Sequence, residues 1–306
     1  KIQKNFERVE NLMPEGDTVW RQARNLHHGL SGRTAHHTSF RFPAVADIEL
    51  AGQPIHGAFA HGKNIFIRIG DYSIHSHLKM DGIWHLYGTT ETGEPQRWKR
   101  PQTQARAVIE ANARLDDAGE VLAGSTPVAA VGFSLGMLNV VPREQETELT
   151  AHLGPDLLGK DWDAEVALAN LCARPERMIG PALLDQKNLA GIGTIYRAET
   201  LFLAGIDPRT PVAHVPNLPR VIEIAHLLLT ANRSHPLRVT RTTTEPLWAY
   251  GRTGRACYRC GTPIIREELS DQGVDKNRFG DTPHALAREE DIVRLSFRCP
   301  TCQMLY

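Results

Sequence analysis

Several features are scarce in this 306-residue chain, and each scarcity excludes something. Cysteine occurs five times, four of them close to the C-terminus, which is not the disulfide framework of a small secreted domain. No uninterrupted apolar run approaches the ~18 residues that a membrane-spanning helix needs. The first twelve residues carry Lys1, Lys4, Glu7, Arg8 and Glu10 and lack the apolar stretch of a secretory signal, so a cytoplasmic protein is expected. There is no charge excess either. The 35 Lys and Arg balance 35 Asp and Glu, which on its face argues against a nucleic-acid binder. Internal repeats and low-complexity tracts are absent, and no repeated strand–helix alternation suggests a Rossmann sheet.

The neutral total conceals a strong local asymmetry. Between Arg233 and Arg266 seven arginines face one acid, Glu245, and Ile292–Tyr306 adds Arg294 and Arg298 with no acid. The intervening Glu267–Asp291 holds eight acids against Lys276, Arg278 and Arg288. A C-terminal segment of net charge +8 is therefore masked by an insertion of −5. A locally basic face binds phosphates whatever the total charge. With 41% hydrophobic and 23% charged residues the rest is an ordinary folding composition, long enough for two domains rather than one.

The pattern of elements changes along the chain. Glu15 to Leu30 has Val19, Ala23 and Leu26 at helical spacing, with Gly29 and Gly32 at the end. From Thr34 to Val141 short β-type runs alternate between Gly punctuations: Ile65, Ile67 and Ile69 with Phe66 and Arg68; Ile74, Leu78 and Met80 with His75, His77 and Lys79. This predicts an antiparallel sandwich or barrel. After Pro142 the pattern turns helical over Glu146–Leu153, Asp163–Ala173, Gly180–Leu189, Thr194–Ala204 and Leu218–Ala231. Cys172 is expected in that helical core.

Two motifs carry chemistry. Cys257-Tyr-Arg-Cys260 and Cys299-Pro-Thr-Cys302 each place two thiolates on one tight turn, and together they supply four ligands for one structural zinc ion. The 38 residues between Cys260 and Cys299 exceed the usual ~15–20 of this class. The surplus is the acidic stretch, expected as an exposed, mobile loop whose charge repels phosphates. The second motif is Leu183 to Tyr196, a helix entering Gly191-Ile-Gly193 and then a second helix. Paired glycines before a helix let backbone N–H groups approach an anion, although a plain connecting turn has the same pattern.

In combination these features resemble the formamidopyrimidine-DNA glycosylase / endonuclease VIII family. Met13-Pro14-Glu15-Gly16 resembles the family's start, Gly62-Lys63 its β-domain lysine motif, and Ser76-His77-Leu78-Lys79-Met80 its Ser-His-Leu-x-Met strand end. Leu183–Tyr196 resembles its helix–two-turn–helix, and Arg294 precedes Cys299 by five residues, as the family's finger arginine does. The chain looks nearer the endonuclease VIII-like branch, because no Asp-Pro-Arg-Arg-Phe-Gly segment is found. The implied fold is α+β and multidomain: an N-terminal helix plus antiparallel β-sandwich, a helical domain with the helix–two-turn–helix, and a C-terminal β-hairpin zinc finger. The corresponding divisions are an extension 1–12, a catalytic domain 13–142, a helical domain 143–246 and a finger 247–306 with its acidic insertion 267–291.

The resemblance implies a base-excision-repair glycosylase with AP lyase activity, removing oxidised bases, with pyrimidines favoured. Pro14 would be the nucleophile and Glu15 the adjacent acid/base. Lys63 would contact phosphate and assist β-elimination, and Arg294 would assist δ-elimination. His77, Gly191, Gly193, Thr194 and Arg294 would contact DNA, and Met80 would fill the gap left by the extruded base. The implied partner is damaged double-stranded DNA, with single-stranded or abasic DNA as further ligands, met by a nucleoid-associated bacterial-type monomer without membrane contact. Two departures stand out. Residues 1–12 precede the family's start and, if retained, acylate the Pro14 nitrogen. Thr194 stands where the family usually has Asn, with one donor in place of two. A zinc-containing DNA-binding protein of the same fold, without glycosylase activity, is the alternative.

Overall fold

The computed structural model describes residues 13–90, 94–270, 273–274 and 293–306. The expectations for residues 1–12, and for the acidic insertion beyond its first residues, fall outside them. The chain divides into two compact units, Lys1–His152 and Leu153–Tyr306. The boundary thus falls ten residues later than the change of pattern after Pro142 suggests. The cause is Glu146, which Arg68 and Ser73 tie to the β unit.

Helix α1 (Gly16–Leu30) begins one residue after Glu15, which is its N-cap. Val19, Ala23, Leu26 and Leu30 form one buried stripe. Burial contributes about 1.5–3 kcal/mol for each of the larger side chains. Asp17 in the first turn and His27 and His28 in the last complement the helix dipole. Gly32, at φ 73°, takes the left-handed position that follows the C-cap.

Eight strands follow: β1 (Arg33–Phe40), β2 (Pro54–His61), β3 (Asn64–Ile69), β4 (Tyr72–His77), β5 (Ile83–Tyr87), β6 (Ala105–Ala111), β7 (Val128–Phe133) and β8 (Met137–Pro142). They form a single antiparallel ladder in the order β5-β7-β6-β1-β2-β3-β4-β8. Ile55, Ile65, Ile67, Ile69 and Ile74 from one half share an apolar cluster with Ala107, Ile109, Ala111 and Ala130 from the other. The sheet therefore closes over one core, as a sandwich does, with α1 contributing its stripe to that core.

The second unit contains α3 (Ala164–Cys172), α4 (Ile179–Leu184), α5 (Thr194–Ala204) and α6 (Leu218–Asn232); the short α2 (Glu146–Thr150) belongs to the first. The Asp163 carboxylate caps α3 by accepting from the N–H groups of Glu165 and Val166, and Asn217 caps α6 through the N–H of Arg220. Three expectations need correction. Cys172 is exposed, because α3 is short and buries only Ala167 and Leu171, four residues apart. The helix expected over Gly180–Leu189 stops at Leu184, where Asp185 turns the chain and its carboxylate accepts from the Lys187 N–H. The acidic stretch does not begin as a loop. Ile265–Ser270 is a strand, β9, paired with β10 (Gly273–Val274) and β11 (Arg294–Arg298), because Leu269 faces inward and is buried.

Strand β4 ends at His77, and the chain then reverses. Lys79 has a left-handed φ of 56°, and the Gly82 N–H closes the turn on the Leu78 carbonyl at 2.9 Å. A Cβ at Gly82 would lie 2.4 Å from that oxygen. Gly82→Ala is therefore expected to cost about 1–3 kcal/mol through forced backbone movement. Urea unfolding checks this, and an unchanged midpoint would show that the turn relaxes freely.

Candidate functional site

Pro14 and Glu15 sit at the mouth of α1. Glu15 has extended backbone angles and is only 1% exposed, directly at the positive end of a fifteen-residue helix. A carboxylate excluded from water is tolerated there because the first-turn N–H groups and the dipole favour negative charge. The nitrogen of Pro14 is one residue away, which places a potential acid/base beside a potential secondary-amine nucleophile.

The β2–β3 hairpin presents Lys63. Gly62, at φ 58°, occupies the first position of a two-residue loop closed by the His61–Asn64 pair, which leaves Lys63 at the tip. Asn64 in turn faces His77 across the β3–β4 ladder. The His77 Nδ1 accepts from the Lys79 N–H at 2.9 Å, so its proton belongs on Nε2. Burial, then the charges of Lys79, Lys63 and His75, push its pKa down to about 3. Lys63 and His77 are thus brought together, as an ammonium and a neutral N–H donor. Met80 lies beyond the left-handed Lys79 and is 56% exposed. The reversal separates it from the strand alternation that would have placed it opposite His77.

In the second unit the turn between α4 and α5 is held from inside. The Gln186 amide accepts from the Gly191 N–H at 3.0 Å and donates to the carbonyls of Leu184 and Ile192. Asn188 donates to the Ala182 carbonyl at 2.8 Å. Gly191 has a φ of 102°, which glycine adopts readily. Gly193 is the N-cap of α5 and Thr194 its first residue. Gly191, Gly193 and Thr194 are all buried, so Thr194 is not presented to solvent. Beside the turn, burial raises the Asp185 carboxyl, but hydrogen bonds from Arg177 and the Lys187 N–H, with the charges of Arg177 and Arg174, hold it below its ordinary value.

The four cysteines converge. The sulfurs of Cys257, Cys260, Cys299 and Cys302 all lie within 4.8 Å of one another. The Cys257–Cys302 pair is 3.9 Å apart and the Cys260–Cys299 pair 3.4 Å, against about 3.8 Å for thiolates on a tetrahedral zinc with 2.3 Å bonds. N–H groups of Arg259 and Cys302 donate to the sulfurs of Cys257 and Cys299, as knuckle turns allow. Hydrogen bonds from Thr262 hold Cys260 down to about 6, while burial pushes Cys299 and Cys302 above the ordinary thiol value. Four thiolates this close repel one another unless a cation sits among them. The donor set and spacing fit zinc.

Arg294 opens β11 and is solvent-facing, without an ion pair among the described residues. Arg298, four residues on, is buried and held by Glu267 at 3.0 Å and Asp207 at 3.1 Å. Of the two arginines of β11, one is committed to structure and the other faces solvent.

Sequence reasoning missed the groups that anchor the finger. Glu199 on α5 is fully buried and accepts from the N–H groups of Trp248, Ala249 and Tyr250 and from the Thr240 hydroxyl. Arg197, also buried, donates to the carbonyl of Leu295, next to Arg294. Two charged side chains inside an otherwise apolar helix were the available signal. Around them Arg241 and Arg252 lie over the Tyr258 ring at 3.7 and 3.5 Å, and Arg259 lies over Phe202 at 4.6 Å. The knuckle residues Tyr258 and Arg259 are thereby packed into a basic–aromatic cluster.

Comparison with known proteins agrees with this geometry. Residues 13–121 match the formamidopyrimidine-DNA glycosylase N-terminal domain, and residues 153–229 match the formamidopyrimidine-DNA glycosylase H2TH domain. The chain is 40% identical over 296 residues to a probable endonuclease 8 2 of Streptomyces coelicolor, covering 95% of this chain and 94% of the relative. It is 40% identical over 265 residues to endonuclease 8 2 of Mycobacterium bovis, covering 86% and 96%. It is 37% identical to the DNA-(apurinic or apyrimidinic site) lyase Nei2 of Mycolicibacterium smegmatis, covering 95% and 99%. The fold matches MutM in complex with DNA containing carbocyclic 8-oxo-G, with TM-score 0.68, 21% identity and coverage of 95% and 100%. It also matches the Lactococcus lactis formamidopyrimidine DNA glycosylase bound to DNA with an AP site, with TM-score 0.67, 20% identity and coverage of 94% and 99%. No helix among the described residues is long and apolar enough to cross a membrane.

The neutral state of His77 is testable. Its folded pKa lies below the ordinary 6.5, and that of His75 is lowered to about 4, chiefly by burial. The unfolded chain therefore takes up protons that the folded chain refuses. They cost no stability above pH 6.5, and the cost grows as pH falls, down to about 4 for His75 and about 3 for His77. Heteronuclear NMR should show the His77 imidazole neutral at pH 5 with its proton on Nε2. Lys63→Ala should raise its pKa by removing a positive neighbour. Titration of His77 near 6.5 in the parent protein would contradict the assignment.

Proposed function

The chain belongs to the formamidopyrimidine-DNA glycosylase / endonuclease VIII family, and from that premise we propose a base-excision-repair DNA glycosylase with AP lyase activity acting through Pro14. The observation that carries the reading is the placement of Pro14 and a buried Glu15 at the start of α1. With Pro14 as the N-terminus, its secondary amine attacks C1′ of the damaged nucleotide. The N–C1′ bond forms as the bond to the base breaks and the sugar ring opens, leaving an iminium. The Glu15 carboxylate takes the proton released by the attacking amine, passes it to the ring oxygen and shuttles the protons that follow, while the departing base takes its proton from water.

The iminium acidifies C2′–H, and loss of that proton breaks the C3′–O bond in β-elimination. A second elimination breaks the C5′–O bond, and water releases the sugar remnant from the proline. Lys63 holds the phosphate that leaves first, and His77 donates its Nε2–H to a phosphate oxygen beside it. Met80, exposed on its turn, fills the space left by the extruded nucleotide. Arg294, which no acid engages among the described residues, contacts the flanking phosphates and assists the second elimination. The α4–α5 turn, with Gly191, Gly193 and Thr194, fixes register on the backbone. Thr194 is buried, so its hydroxyl is the weaker part of this proposed contact.

Cys257, Cys260, Cys299 and Cys302 would hold one structural zinc, which would cross-link the two knuckles beside the cluster that α5 forms with Phe297 of β11. Oxidised pyrimidines are the lesions proposed, on the resemblance to the endonuclease VIII-like branch alone.

Two experiments test the reading. A chain beginning at Pro14 should form a borohydride-stable cross-link with an abasic duplex. The 306-residue chain, whose Pro14 nitrogen is an amide, should not. Absence of a cross-link from the verified Pro14 chain would leave a DNA-binding protein without glycosylase activity.

Removing metal tests the zinc assignment. Structural zinc contributes an apparent ~10–16 kcal/mol in isolated fingers, so chelation or Cys257→Ala should open the finger and weaken DNA binding. The β unit should keep its own unfolding transition. Metal analysis finding no zinc in freshly purified protein would reject it.

A further inference from the structure

The tip that carries Lys63 is braced by a column of rings whose polar end serves no packing purpose. His75 on β4 is 4% exposed and stacks on Phe66 of β3, centroids 4.6 Å apart and planes at 7°. Phe66 stacks in turn on Phe59 of β2 at 4.9 Å. Arg68 lies over the Phe59 ring at 4.5 Å, and its guanidinium is held by both oxygens of Glu146 at 2.9 and 3.1 Å. At the other end His75 Nε2 meets the Asn64 Oδ1 at 2.9 Å. The Asn64 amide nitrogen donates to the His61 carbonyl at 3.2 Å, across the hairpin's closing pair. Since that nitrogen is engaged, Oδ1 is the acceptor and His75 carries its hydrogen on Nε2.

The arrangement is costly if its purpose is packing. The His75 Nδ1 is buried with no hydrogen-bond partner among the described residues, a penalty that a phenylalanine at the same place would avoid. What the imidazole adds is one hydrogen bond, and that bond ends on the residue next to Lys63. We propose that Asn64 and His75 are positioning residues for Lys63: the His75–Asn64–His61 chain of hydrogen bonds, clamped by the ring column, fixes the hairpin tip so that the ammonium meets phosphate at one place. The proposal rests on the assignment of Lys63 as a phosphate contact. Neither residue touches DNA; each acts through the backbone of the tip. A displacement of about 1 Å at such a group is enough to weaken a contact severely.

Equilibrium binding of the 306-residue chain to a duplex carrying a stable abasic-site analogue, repeated over a salt series, tests both levels. Lys63→Ala should weaken binding roughly five- to tenfold at low salt and reduce the salt slope by about one phosphate contact. His75→Phe keeps the ring column and should not lower Tm, yet should weaken binding about three- to fivefold with a shallower slope. In the Lys63→Ala background His75→Phe should add nothing, because the positioned group is already gone. His75→Gln, which retains an N–H for Asn64, should restore binding. If Lys63→Ala is silent, the Lys63 assignment fails, and the functional reading loses that residue. If Lys63→Ala weakens binding but His75→Phe is silent or adds independently to it, the positioning role fails while the functional reading stands. A His75→Phe effect that tracks a lowered Tm and is not rescued by Gln would overturn it equally, by marking His75 as a packing residue.

Discussion

The first unit depends on one constraint: the apolar stripe of α1 has to bury itself in the sheet. Val19, Ala23, Leu26 and Leu30 are each at most 1–2% exposed, and they share one core with strands from both halves of the ladder. That packing fixes the N-terminal end of the helix as firmly as any core residue. A carboxylate at that end, Glu15, is held out of water at a position that the helix dipole makes tolerable. A proline placed immediately before it inherits its location from the helix. The catalytic proposal uses this: a nucleophile on a chain terminus is ordinarily frayed, and here the helix behind it is anchored.

A comparable economy governs charge in the second unit. The chain is neutral overall, yet several of its acids are spent internally. Glu199 binds three backbone N–H groups, Asp207 and Glu267 hold Arg298, and Asp185 holds Arg177. Such acids do not compete with phosphate for the exposed arginines, so a net count of charges misrepresents the surface. Arg298 and Arg294 show the distinction within one strand. The first is buried between two carboxylates, and the second faces solvent four residues earlier.

Much of this was legible in the sequence, for identifiable reasons. The α1 stripe, the Gly-punctuated strands and the helix over Thr194–Ala204 follow from periodicity, and the cysteine pairs from ligand spacing. The reading failed where tertiary context decides. The segment after Pro142 looked like the start of the helical domain, but Arg68, distant in sequence, holds Glu146 on the β unit. The acidic run looked like a loop because composition hides the inward alternation that ends at Leu269. Cys172 looked like core because an apolar run does not say how many of its faces are covered. The His75–Asn64 bridge was not legible at all, since cross-strand partners depend on register.

In the proposed mechanism the Pro14 nitrogen, and no lysine, bonds to the sugar. The decisive measurement is peptide mapping by mass spectrometry of the borohydride-reduced protein–DNA adduct, made with the chain that begins at Pro14. The deoxyribose remnant is expected on the N-terminal peptide, attached at the Pro14 nitrogen, with the Lys63 peptide unmodified. A remnant on Lys63, with Pro14 recovered free, would contradict it.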